Sequence, residues 1–190
     1  MDRGVELIGG MEQRAIVLVA YNPEWPADFA REQRRIETAL GAAAIRIDHI
    51  GSTSIPGLSA KPIIDINLTV RDPDDEAAYL PALESAGYLL RVRERGHRMV
   101  RTPELDVHVH VCAPDSDWQR RHLLFRDWLR HNEDDRTAYG ALKKTLAAQE
   151  WSDMNEYAAA KGPLIGEITI RAEQWARRSG WTVRAQDARS

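Results

Sequence analysis

His49-Ile50-Gly51-Ser52-Thr53-Ser54-Ile55-Pro56-Gly57-Leu58-Ser59-Ala60-Lys61-Pro62-Ile63-Ile64-Asp65-Ile66-Asn67-Leu68 decides how the rest of the chain reads. An apolar strand over residues 45–50 runs into a Gly-Ser turn. A loop carrying Lys61 follows, then a second apolar strand over 63–70. Side chains alternate across a strand, so Asp65 and Asn67 share one face while Ile64, Ile66 and Leu68 share the other. A turn such as Gly51-Ser52-Thr53 offers backbone N–H groups and hydroxyls to a phosphate. A carboxylate on a rigid strand, here Asp65, suits the divalent metal that accompanies a phosphate. Burying that carboxylate among isoleucines is costly unless it meets a metal or an arginine.

Outward from this stretch, strands and helices follow from periodicity and breakers. Residues 15–19 form an apolar run that predicts a strand. Residues 27–40 place Phe29, Ile36 and Leu40 on one helical face, with Gly41 as the stop. Asp72 or Asp74 opens a helix to about Ala86. Strands over 88–93 and 98–102 flank the turn Glu94-Arg95-Gly96-His97. Residues 105–112 alternate Leu105, Val107, Val109 and Val111 with Asp106, His108 and His110. Beyond Pro114 the pattern turns helical. Trp118, Phe125 and Leu129 read as a core stripe, and Tyr139, Leu142 and Leu146 as a second. A third helix begins after Ser152 and carries Tyr157 and Lys161. Gly162-Pro163 breaks it before a last helix with Leu164, Ile168 and Trp175. The expected fold is α+β: a mixed β-sheet backed by helices, with a C-terminal helical layer. One domain spans 15–180, with its sheet core in 15–112 and its helical part in 115–180. Residues 1–14 read as a loose leader and 181–190 as a frayed tail.

The 190 residues are 43% hydrophobic, enough for one domain with a core, and the formal charge of -3 argues against an extended nucleic-acid footprint. Cys112 is the single cysteine, which excludes an intrachain disulfide. No apolar stretch is long enough for a membrane span, so a cytoplasmic protein without a membrane partner is expected.

If the 105–112 strand lies beside 63–70, His108 and His110 converge with Asp65. Neutral imidazoles bind transition metals well, and either could take a proton near neutrality. The alternative is a pair of hydrogen-bonded histidines on a half-exposed strand. Lys61 can reach a phosphate from its loop or stand solvated there. The basic hairpin holding Arg91, Arg93, Arg95, Arg98 and Arg101, with His97, can receive the triphosphate or an anionic acceptor, or simply be solvated. Arg126, Asp127, Lys143, Tyr157 and Lys161 are the polar residues placed to line a cleft from the helical side, although helix-surface charge explains each one alone.

Residues 19–26, the block His49 to Asp65, His108-Val109-His110-Val111, and Phe125-Arg126-Asp127-Trp128-Leu129-Arg130 with Tyr157 and Lys161 resemble the GrpB family of the nucleotidyltransferase-like superfamily. The resemblance implies a nucleotidyltransferase-like sheet and transfer of a nucleotidyl group to a small acceptor. It makes Gly51 and Ser52 the phosphate-binding turn and Asp65 the first metal-binding acid. Asn67 then stands where a second acid is usual, and His108 or His110 near a third. The implied catalytic residues are Asp65, His108 and His110, and the metal set is Asp65, Asn67, His108 and His110. The phosphate set is Gly51, Ser52, Thr53, Lys61, Arg98, Arg126 and Lys161. The implied cofactor is a divalent metal, Mg or Mn or else Zn, with a nucleoside triphosphate as substrate and a small phosphate-containing molecule as the partner. Two further readings stay open. One is a non-catalytic nucleotide- or coenzyme-binding accessory or sensor domain, since relatives occur fused to dephospho-CoA kinase domains. The other is a transition-metal enzyme built on Asp65, His108 and His110.

Overall fold

Asp65 lies in a strand paired on both sides. In the computed structural model, which describes residues 4–10, 16–151 and 154–183, β3 (Ile64–Thr69) runs antiparallel to β2 (Arg46–Ile50) and parallel to β6 (Val107–Cys112). With β1 (Glu6–Leu7), β4 (Leu89–Glu94) and β5 (His97–Arg101) they form one mixed sheet in the order β1-β4-β5-β6-β3-β2.

The two faces of the sheet differ in chemistry, as the alternation dictates. Ile64, Ile66, Leu68, Val107, Val109 and Val111 are buried against Trp25 and Ile36 of α1 (Trp25–Leu40) and Leu83 of α2 (Leu80–Ser85). Each such side chain contributes about 1.5–3 kcal/mol on leaving water. The opposite face carries Asp65, Asn67, His108 and His110. A helical layer stands over it: α3 (Asp117–His131), α4 (Glu133–Ala147), α5 (Met154–Ala160) and α6 (Gly162–Ser179).

This layer has its own core of Leu124, Trp128, Leu129, Tyr139 and Ile168. The Ser116 hydroxyl caps α3 by accepting from the Gln119 N–H at 3.3 Å, and the Asn132 carbonyl oxygen caps α4 by accepting from the Asp135 N–H at 2.8 Å. The buried Asp135 carboxylate accepts from Trp128 Nε1 at 2.7 Å and from Arg171 at 2.7 and 2.9 Å, tying α3, α4 and α6 together. Pro163 sits in the first turn of α6, where its missing N–H would have no intrahelical partner. Among the described residues no helix is long and apolar enough to cross a membrane.

Several local expectations are corrected. The strand predicted over 15–19 is a single bridge from Val19 to Ala60, and Ala15 lies outside the described residues. Val17 and Val19 remain 57% and 37% exposed, and Ile16 and Leu18 on the other side of the run are only half-buried. The helix predicted from Asp72 or Asp74 divides into a 3-10 turn (Glu76–Ala78) and α2, with Pro81 in the first turn of α2. The strand predicted over 105–112 starts at Val107. Leu105 adopts φ 67° in the preceding turn, and Asp106 accepts from the Thr102 hydroxyl at 2.6 Å. Within the expected leader, Glu6–Leu7 pairs with β4, and the buried Arg91 guanidinium donates to the Ile8 and Gly10 carbonyls. Residues 1–3 and 11–14 of that leader lie outside the described residues, as do 184–190 of the tail. Trp181, expected to fray, donates from its indole to Asp127 at 3.0 Å.

Candidate functional site

The β3–β6 register sets Asp65 opposite His108 and Asn67 opposite His110. Paired residues project to the same face, so the carboxylate and both imidazoles converge. Asp65 Oδ1 lies 3.4 Å from His108 Nδ1 and 3.9 Å from His110 Nε2. One donor atom from each residue falls within 4.8 Å of the others. The three side chains are recessed but open, at 29%, 22% and 22% exposure. An oxygen and two imidazole nitrogens at this spacing fit one ion with bonds of about 2.0–2.2 Å. They suit Mn, Fe or Zn better than Mg. Burial alone would raise the Asp65 carboxyl, but the His108 hydrogen bond and the charges of His108, His110 and Lys61 hold it below the ordinary carboxylate range. Burial pushes His110 down to about 3, leaving the neutral imidazole that a metal requires.

His110 is oriented from behind. Its Nδ1 lies 3.2 Å from His97 Nε2 on β5. For His110 Nε2 to bind a metal it must be bare, so its proton sits on Nδ1 and is donated to His97 Nε2. The His97 proton then sits on Nδ1, a buried atom with no hydrogen-bond partner, 3.9 Å from Glu94 Oε2. Glu94 is too far for a hydrogen bond, so the His97 ring itself is the outer-shell partner that fixes the His110 ring. Trp118 stacks on His110 at 4.9 Å, on His97 at 5.0 Å and on His122 at 3.7 Å, so it clamps these rings instead of joining the apolar core. His97, expected to belong to the basic hairpin, instead faces His110, as its strand alternation away from Val100 allows.

The Gly51-Ser52 turn abuts the same carboxylate. Gly51 has φ 68° and ψ -173°, and a Cβ there would overlap Asp65 Oδ2 and lie 2.8 Å from Asp65 Cβ. Only glycine satisfies both constraints. Gly51→Ala therefore lowers stability by about 1–3 kcal/mol from backbone strain alone, and it displaces Asp65. Urea melts of the two proteins check the first effect.

Three lysines converge on this turn. Lys143 Nζ donates to Ser52 Oγ at 2.9 Å and to the Ser59 carbonyl at 2.5 Å. Lys61 and Lys161 lie over the Tyr157 ring at 5.5 and 4.6 Å. Burial, with Lys161 and Lys61 adding repulsion, pushes the Lys143 ammonium down to about 7. Burial and Lys61 push Lys161 down to about 8, against the pull of Asp65. The pocket is thus a crowd of cations next to one carboxylate, an arrangement that gains from an anion.

Four expected site residues fall elsewhere. Asn67 is fully buried, accepts from Cys112 Sγ at 3.0 Å and donates to Thr69 Oγ1 at 3.3 Å, so it is spent on the sheet and helix contact. Thr53 is buried, with its hydroxyl donating to the Ile63 carbonyl and meeting His49 Nε2, both at 3.0 Å. Arg98 shares the face of Val100, where Glu76 and Asp74 bind it at 2.5 and 2.9 Å. Arg126 holds the His49 carbonyl at 3.0 Å and Asp127 at 2.7 Å, lining a different cleft. Gly51, Ser52, Lys61, Asp65, His108, His110 and Lys161 do assemble, with Lys143 and Tyr139 beside them.

The profile of the GrpB protein family matches residues 15–171. The chain is 51% identical over 168 residues to a UPF0157 protein of Streptomyces coelicolor, covering 88% of this chain and 90% of that one. It is 47% identical over 161 residues to a UPF0157 protein of Halalkalibacterium halodurans, covering 83% of each. The crystal structure of conserved protein GrpB from Enterococcus faecalis superposes with a TM-score of 0.74 at 31% identity, over 84% of this chain and 99% of that one.

Proposed function

This chain belongs to the GrpB family, and we propose that its pocket binds a nucleotide together with one divalent metal and transfers a nucleotidyl group to a small acceptor. The observation that carries the proposal is the convergence of Lys143 and the Ser52 hydroxyl beside the cluster of Asp65, His108 and His110. Ser52, Lys61, Lys143 and Lys161 hold the phosphates. Asp65, His108 and His110 hold the ion, which when bound supplies positive charge to neutralise a phosphate and orient it. A nitrogen that ligates cannot also take the acceptor's proton. The His97 contact to His110 Nδ1 favours the ligand role for His110.

One equivalent of Mn²⁺ or Zn²⁺ per chain, and tighter nucleotide binding in its presence, are the expected results of calorimetric titration. A chain that takes up neither ion and shows no thermal shift with any nucleoside triphosphate would remove the proposal. Sulfate, whose own charge is fixed across the range, reports on the lysines alone. Its affinity falls as pH rises through about 7 and 8, where Lys143 and Lys161 lose their protons. A flat profile would contradict that assignment.

A binding-only reading is favoured by Asn67. Its side chain is committed to Cys112 and Thr69, so among the described residues the metal cluster has one carboxylate. Saturable nucleotide binding without turnover on any acceptor would select that reading.

A further inference from the structure

A second cleft, of about 650 Å³, opens between α1, β2, α3 and the loop after the Gly-Ser turn. Its volume is in the range that holds a small organic ligand. One wall is apolar: Tyr21, Pro26 and Phe29. The Phe29 ring lies flat on His49, with centroids 4.8 Å apart and planes 6° from parallel. Burial pushes His49 down to about 4, so this plate is uncharged at neutral pH.

The facing wall carries Arg126, Arg130 and Arg136. Among the described residues, Asp48 and Asp127 are the carboxylates that pair with Arg126 and Arg130, and both have other partners. Asp48 is bound in a fork by Arg46 at 2.6 and 2.8 Å. Asp127 serves Arg126 at 2.7 Å and the Trp181 indole at 3.0 Å. Arg130 donates through Nε and one terminal nitrogen to the Ser54 carbonyl at 2.9 and 2.7 Å. Arg136 donates to the Leu129 and Arg130 carbonyls at 3.1 and 3.3 Å. These bonds to neutral carbonyls fix the guanidinium groups, and two further ion pairs that accompany them are longer: Arg130 to Asp127 at 3.7 Å and Arg126 to Asp48 at 3.9 Å. Among the described residues three arginines and one carboxylate, Asp48, line the opening, and Asp48 is already forked by Arg46 behind it. Burial and the neighbouring Arg126 disfavour the charge on Arg130 and outweigh the support of Asp127, Tyr21 and Asp48, a net cost that an anion would relieve.

We propose that this cleft is a second binding site, for a small organic anion whose unsaturated ring packs on Tyr21 and Phe29 while its phosphate or carboxylate head meets Arg126, Arg130 and Arg136. The fixed fork geometry of arginine suits either head. The site stands on its own residues, and it holds whether or not the metal and lysine pocket works as proposed above.

Phenyl phosphate and benzoate are the probes, with inorganic phosphate and phenol as the head and the ring alone. They are titrated into the full chain while the arginine Nε–Hε resonances are followed by NMR. The expected result is saturable shifts of Arg126, Arg130 and Arg136 with phenyl phosphate, benzoate or both, and the stronger of the two identifies the head. Arg136→Gln weakens binding about tenfold, as expected for losing one charge-assisted partner, and Lys161→Gln leaves it unchanged. Absence of saturable shifts at these arginines with both probes would overturn the site. So would binding that responds to Lys161→Gln and ignores Arg136→Gln, since the probe would then occupy the lysine pocket. Inorganic phosphate or phenol binding as tightly as the joined probes would overturn the two-part recognition.

Discussion

Asp65→Asn abolishes stoichiometric metal uptake. The substitution keeps the side chain's shape and removes its charge. It leaves the two imidazoles as the remaining donors. The expected loss of affinity is more than about 100-fold, because even the outer-shell partners of metal ligands are worth about 10–100-fold. His97→Phe tests that lower range. It keeps a ring under Trp118 but removes the acceptor for His110 Nδ1, so metal affinity drops by about 10–100-fold without loss of a ligand. Equilibrium dialysis with Mn²⁺ and Zn²⁺ measures both. Equal affinity in Asp65→Asn and wild type would mean that the histidines are bound by each other and by Trp118 for structural reasons alone.

Lys143→Met has the second large effect, and its sign depends on pH. In the folded chain burial first, then Lys161 and Lys61, push this ammonium down to about 7, whereas an unfolded lysine titrates near ~10.4. Between those values the unfolded chain binds more protons than the folded one. Stability therefore rises with pH through that window, by at most about 1.4 kcal/mol per pH unit from this group. Below the folded value the cost of the buried charge is fully present. Lys143→Met removes this slope, so the variant gains most over wild type on the acid side of about 7, and the difference shrinks toward alkaline pH. Sulfate affinity falls in the same variant. Urea melts across the neutral and alkaline range give the two curves. Parallel curves would contradict a proton-poor Lys143 in the folded state.

Much of the fold was legible because alternation is a strong signal on buried strands. The isoleucine face of β3 and the valine face of β6 fixed which side Asp65, His108 and His110 take. Their adjacency was not legible, since a parallel pairing across some forty residues leaves no local mark. Arg98 was misplaced for a different reason. Its charge suggested an anion site, while its spacing from Val100 already put it on the buried face, where Glu76 neutralises it. The Lys143 position carried a usable signal too. It follows Tyr139 by four residues and precedes Leu146 by three, so a lysine sits in the buried stripe of α4. A charge in such a stripe points to a partner, here Ser52 and the Ser59 carbonyl. Nothing in the sequence marked the Thr53 hydroxyl as spoken for, because its acceptor, the Ile63 carbonyl, is set by the path of the loop.

Two separate chain segments, the Gly51-Ser52 turn with its lysines and the β3–β6 face with its histidines, must serve a single ligand and its ion. Diffraction from crystals soaked with Mn²⁺ and a non-hydrolysable nucleotide, recorded for manganese anomalous signal, tests this most directly. The predicted result is one anomalous peak about 2.0–2.2 Å from Asp65, His108 and His110 donors, with phosphate density within hydrogen-bond reach of Ser52 and Lys143. Manganese bound elsewhere, or a nucleotide seated away from the lysines, would contradict the account.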